Sequence, residues 1–366
     1  EVNVKLIEYN PVPTGGSQGL NETVRVDTDI SNPACYNVLG SADMVKGIRD
    51  QILIDPANAV NYINASNAEG CRTIAETRQN AANWYQYYRR RAFPVKNAIA
   101  EVIDAQPAFR FGMTVLNGYS SLFTEVPDVS VTNYSAHNTS IKQNYFAYNQ
   151  PSAGTPLRKA LDRAGQYYDD TLSGKDDPIV YSCQKNFTVL FTDGYWNSSY
   201  SGVGDSDGDG RSNTLADVAY HYYMDVDLSP LADNVKPDLP LESDLPVTVL
   251  NPTESDEETT HQHMVTFTVA FGVAGNLTDG DDDSLPDVDA DGDAWPGGVP
   301  TKDGDWGNPC GDCLSAVDDL WHAAYNSAGV FASASTPTEL SERLIKAISA
   351  IAARVGSASA VARNSG

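Results

Sequence analysis

No long apolar segment occurs in the 366-residue sequence. A helix needs about 20 consecutive apolar residues to cross a bilayer, and no run approaches that length. The most apolar C-terminal stretch, residues 347–362, is rich in Ala and Ser and is interrupted by Arg354. We therefore expect no membrane insertion.

Basic residues are scarce. The chain has 24 Lys and Arg residues against 49 Asp and Glu residues, so its formal net charge at pH 7 is -25. A surface of this sign repels the phosphates of nucleic acids and of anionic lipids. The charge therefore excludes nucleic acid as a partner and suits a protein that collects divalent cations.

Cysteines are too few for a dense disulfide framework, and a single Cys-x-x-Cys motif excludes a zinc ribbon. Cys310 and Cys313 follow an acidic loop and do not open a helix after a strand, so we predict a small structural disulfide there and not a redox pair. Cys35 and Cys71 are the candidates to close the N-terminal region.

The distribution of turn-forming residues along the chain predicts an extension followed by one large domain. Residues 1–75 contain short alternating stretches separated by Pro, Gly and Asn, which is typical of loops with minor strands. Residues 76–356 form the predicted domain, with acidic insertions at about 195–217 and 275–313. Residues 357–366 are predicted to be a C-terminal tail.

Strand and helix patterns alternate in the predicted domain, which favours an α/β fold with a doubly wound, mostly parallel sheet. The predicted strands are 109–116, 187–192, 264–271 and 330–333. The predicted helices are 77–105 with a kink near Pro94, 156–172, 214–223, 315–327 and 338–354, the last with Thr336 or Thr338 as its N-cap. Open sheets bind ligands beyond the carboxyl ends of their strands, which directs attention to Asp193.

Two acidic loops share one spacing of polar residues, at relative positions 1, 3, 5, 9 and 13. The first comprises Asp205, Asp207, Asp209, Asn213 and Asp217, and the second Asp279, Asp281, Asp283, Asp287 and Asp291. Calcium takes about six to eight oxygen ligands, and alternate carboxylates in a loop supply several of them. We therefore predict one or two Ca²⁺ sites, with a solvated acidic linker as the alternative for the second loop.

Histidines offer weaker signals. His261 and His263 are at strand spacing and would face the same side, but no third metal ligand accompanies them, so a strand-edge role is favoured. His322, inside a predicted helix beside Trp321, is expected to be a core or hydrogen-bonded residue.

Four stretches together resemble the N-terminal half of the type IV pilus biogenesis and tip-adhesin proteins of the PilY type. They are residues 82–91, 212–219, 263–272 and 318–329, and the resemblance covers about residues 77–350. It implies a von Willebrand factor A-like, Rossmann-type domain, which in that family precedes a β-propeller, and we expect no propeller within residues 1–366.

The resemblance also implies an adhesion-type metal site, built from three loops and holding Mg²⁺ or Ca²⁺. Thr155 matches the second loop and Asp193 the third, whereas Asp27, Asp29 and Ser31 match the first only with Asp29 in a serine position. From the residues alone, Thr155 is equally an N-cap before Pro156, and Asp193 a turn residue.

These features predict a binding module and not an enzyme: a calcium-binding type IV pilus adhesin or assembly factor. Expected partners are pilins or minor pilins and a host or surface receptor, and the expected location is secreted, at the cell surface, the pilus tip or the periplasm. One alternative is a structural subunit or cap of a surface filament that uses calcium for stability alone. The other, a secreted metal-dependent hydrolase, lacks any supporting catalytic motif.

Overall fold

The computed structural model describes residues 92–117, 120–149, 153–235, 260–280, 285–298 and 300–363. The chain divides into two units between Phe93 and Pro94, and the second unit contains nearly all of the described residues. The predicted extension 1–75, the start of the domain at residue 76, the Cys35 and Cys71 pair and the helix before residue 92 lie outside the described residues.

Helices and strands alternate along the described chain. In order they are α1 (Ala92–Ala105), β1 (Met113–Thr114), β2 (Phe123–Thr124), α2 (Ser135–Ala147), α3 (Leu157–Tyr168), β3 (Asn186–Thr192), α4 (Leu215–Tyr220), β4 (Met264–Phe271), α5 (Ser315–Asn326), β5 (Phe331–Ala334) and α6 (Pro337–Arg363). A π-helical turn, His221–Asp225, continues α4, and a short 3₁₀ turn spans Pro296–Gly298. None of the described helices combines the length and the apolar character that a membrane span needs.

A parallel sheet of three strands in the order β3-β4-β5 organises the described residues. Strand β4 is central: it pairs with β3 from Asn186↔Met264 to Thr192↔Ala270 and with β5 from Thr268↔Phe331. All eight residues of β4 are buried, as its continuous apolar run predicts for a strand covered on both faces. The mixed α/β class is therefore confirmed.

Helices cover both faces of this sheet. Successive side chains of a strand point to opposite faces, so β4 contributes to two cores. The odd-numbered residues of β4, from Val265 to Phe271, pack in one core with α1 and α6. Met264 and Ala270 pack in a second core with α3, α4 and α5. On this second face Thr268 Oγ1 donates to the Leu320 carbonyl at 2.7 Å, whereas the buried Thr266 hydroxyl has no hydrogen-bond partner among the described residues.

The predicted strand 109–116 is wrong over most of its length. Only Met113–Thr114 is extended and paired, in an antiparallel ribbon with Phe123–Thr124. Phe109 N donates to Gln106 O at 3.1 Å, so the first residue of the predicted strand belongs to a turn after α1.

Helix ends also differ from the prediction. Helix α6 continues to Arg363, beyond the predicted end at residue 354, because the Ala-rich sequence after Arg354 contains no proline to end it. Helix α2 was not predicted, since its polar sequence buries only Asn138, Ile141 and Tyr145 and carries almost no apolar periodicity.

Thr336, and not Thr338, caps α6. Thr336 Oγ1 accepts a hydrogen bond from Glu339 N at 3.2 Å. The Glu339 carboxylate in return accepts from Ser335 N at 2.7 Å and from Thr336 N at 3.3 Å. This reciprocal arrangement satisfies donors that the helix itself leaves unpaired.

We expect Thr336→Ala to lower the free energy of unfolding by about 1 kcal/mol, because it removes the cap. Thr338→Ala is the matched control and is expected to change it by less than about 0.5 kcal/mol, because Thr338 is exposed. Urea denaturation measures both, and equal losses would contradict the assignment of the cap.

Candidate metal centre

The first acidic loop is closed at its neck by Asn213. Its backbone N donates to Gly204 O at 2.6 Å. Its Oδ1 accepts from Gly202 N at 2.8 Å and from Gly204 N at 3.1 Å. Asn213 was predicted as a metal ligand, but the structure engages its side-chain oxygen in the neck of the loop and not in a carboxylate cluster.

Three predicted ligands of this loop converge. One oxygen from each of Asp205, Asp207 and Asp217 lies within 4.8 Å of the others. Asp207 and Asp217 are 0% exposed, whereas Asp205 is exposed and lies at the mouth of the cluster. Carboxylates held this closely repel one another, and burial weakens the screening of that repulsion.

Backbone amides wrap around these carboxylates. Asp205 accepts hydrogen bonds from Gly208 N at 3.0 Å and Gly210 N at 3.1 Å. Both glycines have positive φ angles, 82° and 86°, which other residues adopt only with strain. The Gly-rich spacing therefore produces a tight turn around an acidic centre.

Asp217 has a second role at the start of α4. Its side chain accepts from Thr214 N at 2.8 Å, and Asp217 N donates to Thr214 Oγ1 at 3.0 Å, which forms a capping box. Its other oxygen accepts from Ser206 N at 2.6 Å. Asp217, at relative position 13 of the spacing pattern, thus joins the loop to α4.

Sequence reasoning missed the contribution of α5. His322 forms a second cluster with Asp207 and Asp209, and its Nε2 lies 3.6 Å from Asp207 Oδ2. Asn326 Nδ2 donates to the same oxygen at 2.8 Å. His322 is 3% exposed, so its predicted core position is confirmed. Its spacing of four residues from Asn326 was the available signal that the two side chains share one face of α5.

Burial determines the electrostatics of the cluster. Burial first, and then the neighbouring carboxylates of Asp217, Asp209 and Asp205, raise the pKa of Asp207 to about 8. Burial also lowers the pKa of His322 to about 3, so this imidazole is neutral. Arg211 Nε lies 4.0 Å from Asp209 Oδ2, but the Arg211 guanidinium also pairs with Asp305 at 3.3 Å. The cluster therefore retains an excess of negative charge.

Two adjacent acids of α5 anchor the segments around the site. Asp319, 2% exposed, accepts from Leu215 N at 3.0 Å, from Ala216 N at 3.1 Å and from Trp196 Nε1 at 3.0 Å. Asp318 accepts from Asn276 N at 2.9 Å and from Leu277 N at 3.0 Å, just before the second acidic loop. Burial raises the pKa of Asp319 to about 6.

The second acidic loop is described in part, since Asp281 and Asp283 lie outside the described residues. Asp287 Oδ2 accepts from Gly280 N at 2.7 Å. Asp289 Oδ1 accepts from Asp291 N at 3.1 Å. Asp279, Asp287 and Asp291 form no cluster of three metal-type ligands among the residues that the structure describes.

Thr155 and Asp193 belong to loops that meet at the carboxyl end of β3. A Cβ placed on Gly194 would lie 3.4 Å from Thr155 Oγ1. Asn197 joins the loops, because its Oδ1 accepts from Thr155 N at 2.7 Å and its N donates to Thr155 O at 3.3 Å. The Thr155 side chain does not cap α3, so that alternative is wrong. Asp27, Asp29 and Ser31 lie outside the described residues.

The predicted disulfide between Cys310 and Cys313 is confirmed. Asp312 N, within the disulfide loop, donates to Trp196 O at 2.9 Å. Cys183 is exposed and forms no disulfide within the described part of the chain.

The two strand-spaced histidines have structural partners. His261 Nε2 lies 3.2 Å from Tyr223 O, and His263 Nδ1 lies 2.9 Å from His261 O. Among the described residues, no third ligand completes a metal cluster with them.

Comparison with known proteins finds similarity to the type IV pilus biogenesis factor PilY1 of Pseudomonas aeruginosa. In strain PAK, 30% of 302 residues are identical, covering 73% of this chain and 25% of the relative. In strain UCBPP-PA14, 30% of 354 residues are identical, covering 85% of this chain and 28% of the relative. In strain PAO1, 28% of 334 residues are identical, covering 78% of this chain and 28% of the relative. The chain thus spans about a quarter of the length of these curated relatives. No family model and no solved structure matches the chain.

The pKa of Asp207 predicts a pH dependence in the absence of metal. Because the folded pKa of about 8 exceeds that of an unfolded Asp, the native state binds more protons between about pH 4 and pH 8. The stability of the protein in EDTA should therefore fall as the pH rises through this window, by up to about 1.4 kcal/mol per pH unit. Urea denaturation at pH 5, 6, 7 and 8 measures this.

Asp207→Asn is the comparison for this pH series, since it removes the titrating group while keeping the side-chain volume. Its stability should depend less on pH than that of the unmodified protein. Parallel curves for the two proteins would contradict the placement of Asp207 in a buried, like-charged environment.

Proposed function

The chain belongs to the PilY-type family of type IV pilus biogenesis factors, and from this premise we propose that it is a calcium-binding adhesion or assembly module of the pilus system. One observation carries the calcium assignment: Asp207 and Asp217 are 0% exposed and share a cluster with Asp205. Buried carboxylates are retained in proteins when they are paired or coordinate a cation. Here His322 is neutral and cannot serve as the counter-charge.

Ligand chemistry favours calcium over a transition metal. The loop offers carboxylate and backbone oxygens from a Gly-rich turn, which suits the flexible oxygen shell of Ca²⁺. The only nitrogen ligand among the clusters found in the described residues is His322 Nε2. That atom lies 2.7 Å from Lys302 O, where it serves as a hydrogen-bond donor.

Asn326 supports the same proposal. Its Nδ2 donates to Asp207 Oδ2 at 2.8 Å, while its Oδ1 is buried and has no hydrogen-bond partner among the described residues. Rotation of this amide would place Oδ1 near His322 Nε2, which lies 3.0 Å from the present Nδ2, and against Asp207 Oδ2, where a cation or a proton would offset the repulsion between the two oxygens. A bound cation would therefore satisfy the orphaned oxygen.

The adhesion component of the proposal rests on the sheet and its loops. A parallel sheet with helices on both faces, with Thr155 and Asp193 beyond the carboxyl end of β3, is what a von Willebrand factor A-like domain requires. We propose that these residues hold Mg²⁺ or Ca²⁺, whose coordination a carboxylate of a pilin, a minor pilin or a surface receptor completes. The second acidic loop is a further candidate calcium site.

The proposed location is outside the cytoplasm, at the cell surface, the pilus tip or the periplasm. The disulfide between Cys310 and Cys313 supports it, because disulfides persist in oxidising compartments. The name of the relatives supports the pilus assignment.

Asp205→Asn should weaken calcium binding about tenfold or more, since it removes one charged ligand at the mouth of the cluster while leaving the buried carboxylates in place. Isothermal titration calorimetry measures the affinity. Asp233→Asn, on an exposed residue elsewhere, removes the same charge and should leave the affinity unchanged. Loss in both variants would indicate diffuse attraction to the acidic surface and not a site.

Binding of the chain to purified type IV pili should depend on divalent cations and on Asp193. We expect EDTA and Asp193→Ala to reduce binding at least about tenfold in surface plasmon resonance, with Asp233→Ala as the control. If calcium raises the melting temperature but EDTA leaves pilus binding intact, the adhesion component is wrong and calcium has a structural role alone.

A further inference from the structure

Arg158 connects the two proposed cation sites. It is the second residue of α3, it follows Thr155 by three positions, and it is 9% exposed. Its Nη1 donates to Asn213 O at 2.9 Å, at the neck of the acidic loop. Its Nη2 donates to Ser198 O, in the loop that begins at Asp193.

The contacts of Arg158 extend to the aromatic ring between these loops. Its guanidinium lies 3.8 Å from the centre of the Trp196 ring. Trp196 in turn donates to Asp319, which also holds the first amides of α4. One planar group is thus hydrogen-bonded to both loops and stacked on a residue that α5 holds in place.

We propose that Arg158 is a positioning residue through which a cation in the 205–217 loop orders the Thr155–Asp193 site. This inference rests on the proposed calcium site, and it adds that calcium binding in the 205–217 loop controls the order of the Thr155–Asp193 site. It assigns to calcium a role beyond the stability of its own loop.

The physical basis is the transfer of order through fixed hydrogen bonds. Without a cation, the carboxyl groups of Asp205, Asp207 and Asp217 have no shared partner between them, so the loop opens more readily and the neck at Asn213 is less restrained. A cation closes the loop and fixes the Asn213 carbonyl, which restrains Arg158 and then the Ser198 carbonyl. Ordering one segment lowers the entropy cost of ordering the next, which is a recognised form of coupling.

The fixed fork of the guanidinium is essential to this coupling. Arg presents donors in two directions in one plane while stacking on a ring, whereas Lys carries a compact charge on a flexible stem. Arg158→Lys therefore retains the positive charge near Asp319 but not the simultaneous contacts to both loops.

Hydrogen–deuterium exchange with mass spectrometry tests the proposal on the whole chain, with CaCl₂ or EDTA. All proteins carry Asp193→Asn, so that calcium bound directly at Asp193 does not contribute. Calcium should slow exchange in residues 204–217 and also, by about fivefold or more, in residues 194–198. In Arg158→Lys the first effect should remain and the second should disappear, while Lys159→Met, on the exposed neighbour, should retain both.

The outcomes separate this inference from the calcium proposal. No slowing in residues 204–217 means that the calcium site is wrong. Slowing there without slowing in residues 194–198, or slowing in both that survives Arg158→Lys, overturns the role of Arg158. If Arg158→Lys does not fold, Asp207→Asn decides: persistence of the calcium effect at residues 194–198 in that variant contradicts the proposal.

Discussion

The buried polar face of α5 is the constraint on which the arrangement of both acidic segments depends. Asp318 binds backbone amides before the second acidic loop, Asp319 binds those that begin α4, and Asn326 contacts the Asp207 carboxylate. A helix that packs against a central strand is rigid, so its side chains act as fixed points for flexible loops. In the second segment apolar contacts add to these hydrogen bonds, since Trp295 and Trp306 pack with Trp321 of α5.

Burial of acidic residues is unfavourable in itself, and the hydrogen bonds that compensate for it are distributed unevenly among these residues. Asp318 and Asp319 are compensated by several backbone donors. Asp207 has fewer donors and three acidic neighbours, which is why its pKa is raised the most among these carboxyl groups. The uncompensated charge is thus concentrated at one place, where a cation has the largest effect on stability.

Much of the candidate site was predictable from spacing. The carboxylates of Asp205, Asp207 and Asp217 converge as their alternation indicates, and Thr155 and Asp193 lie in adjoining loops. The role of Asn213 was not predictable, because a side chain at a ligand position can equally bond the backbone of its own loop. His322 and Asn326 come from a helix more than a hundred residues later in the chain, and no local pattern connects them with Asp207.

The sequence by itself determined the α/β class, the strands β3 and β4, the disulfide between Cys310 and Cys313 and the acidic character of the loop. Each of these depends on the period of apolar residues or on residues close in sequence, which the chain displays directly. Only the tertiary structure decided which carboxylates are buried, that α5 holds them, and that Arg158 lies between two loops. These properties depend on desolvation and on contacts between distant segments, and packing alone creates them.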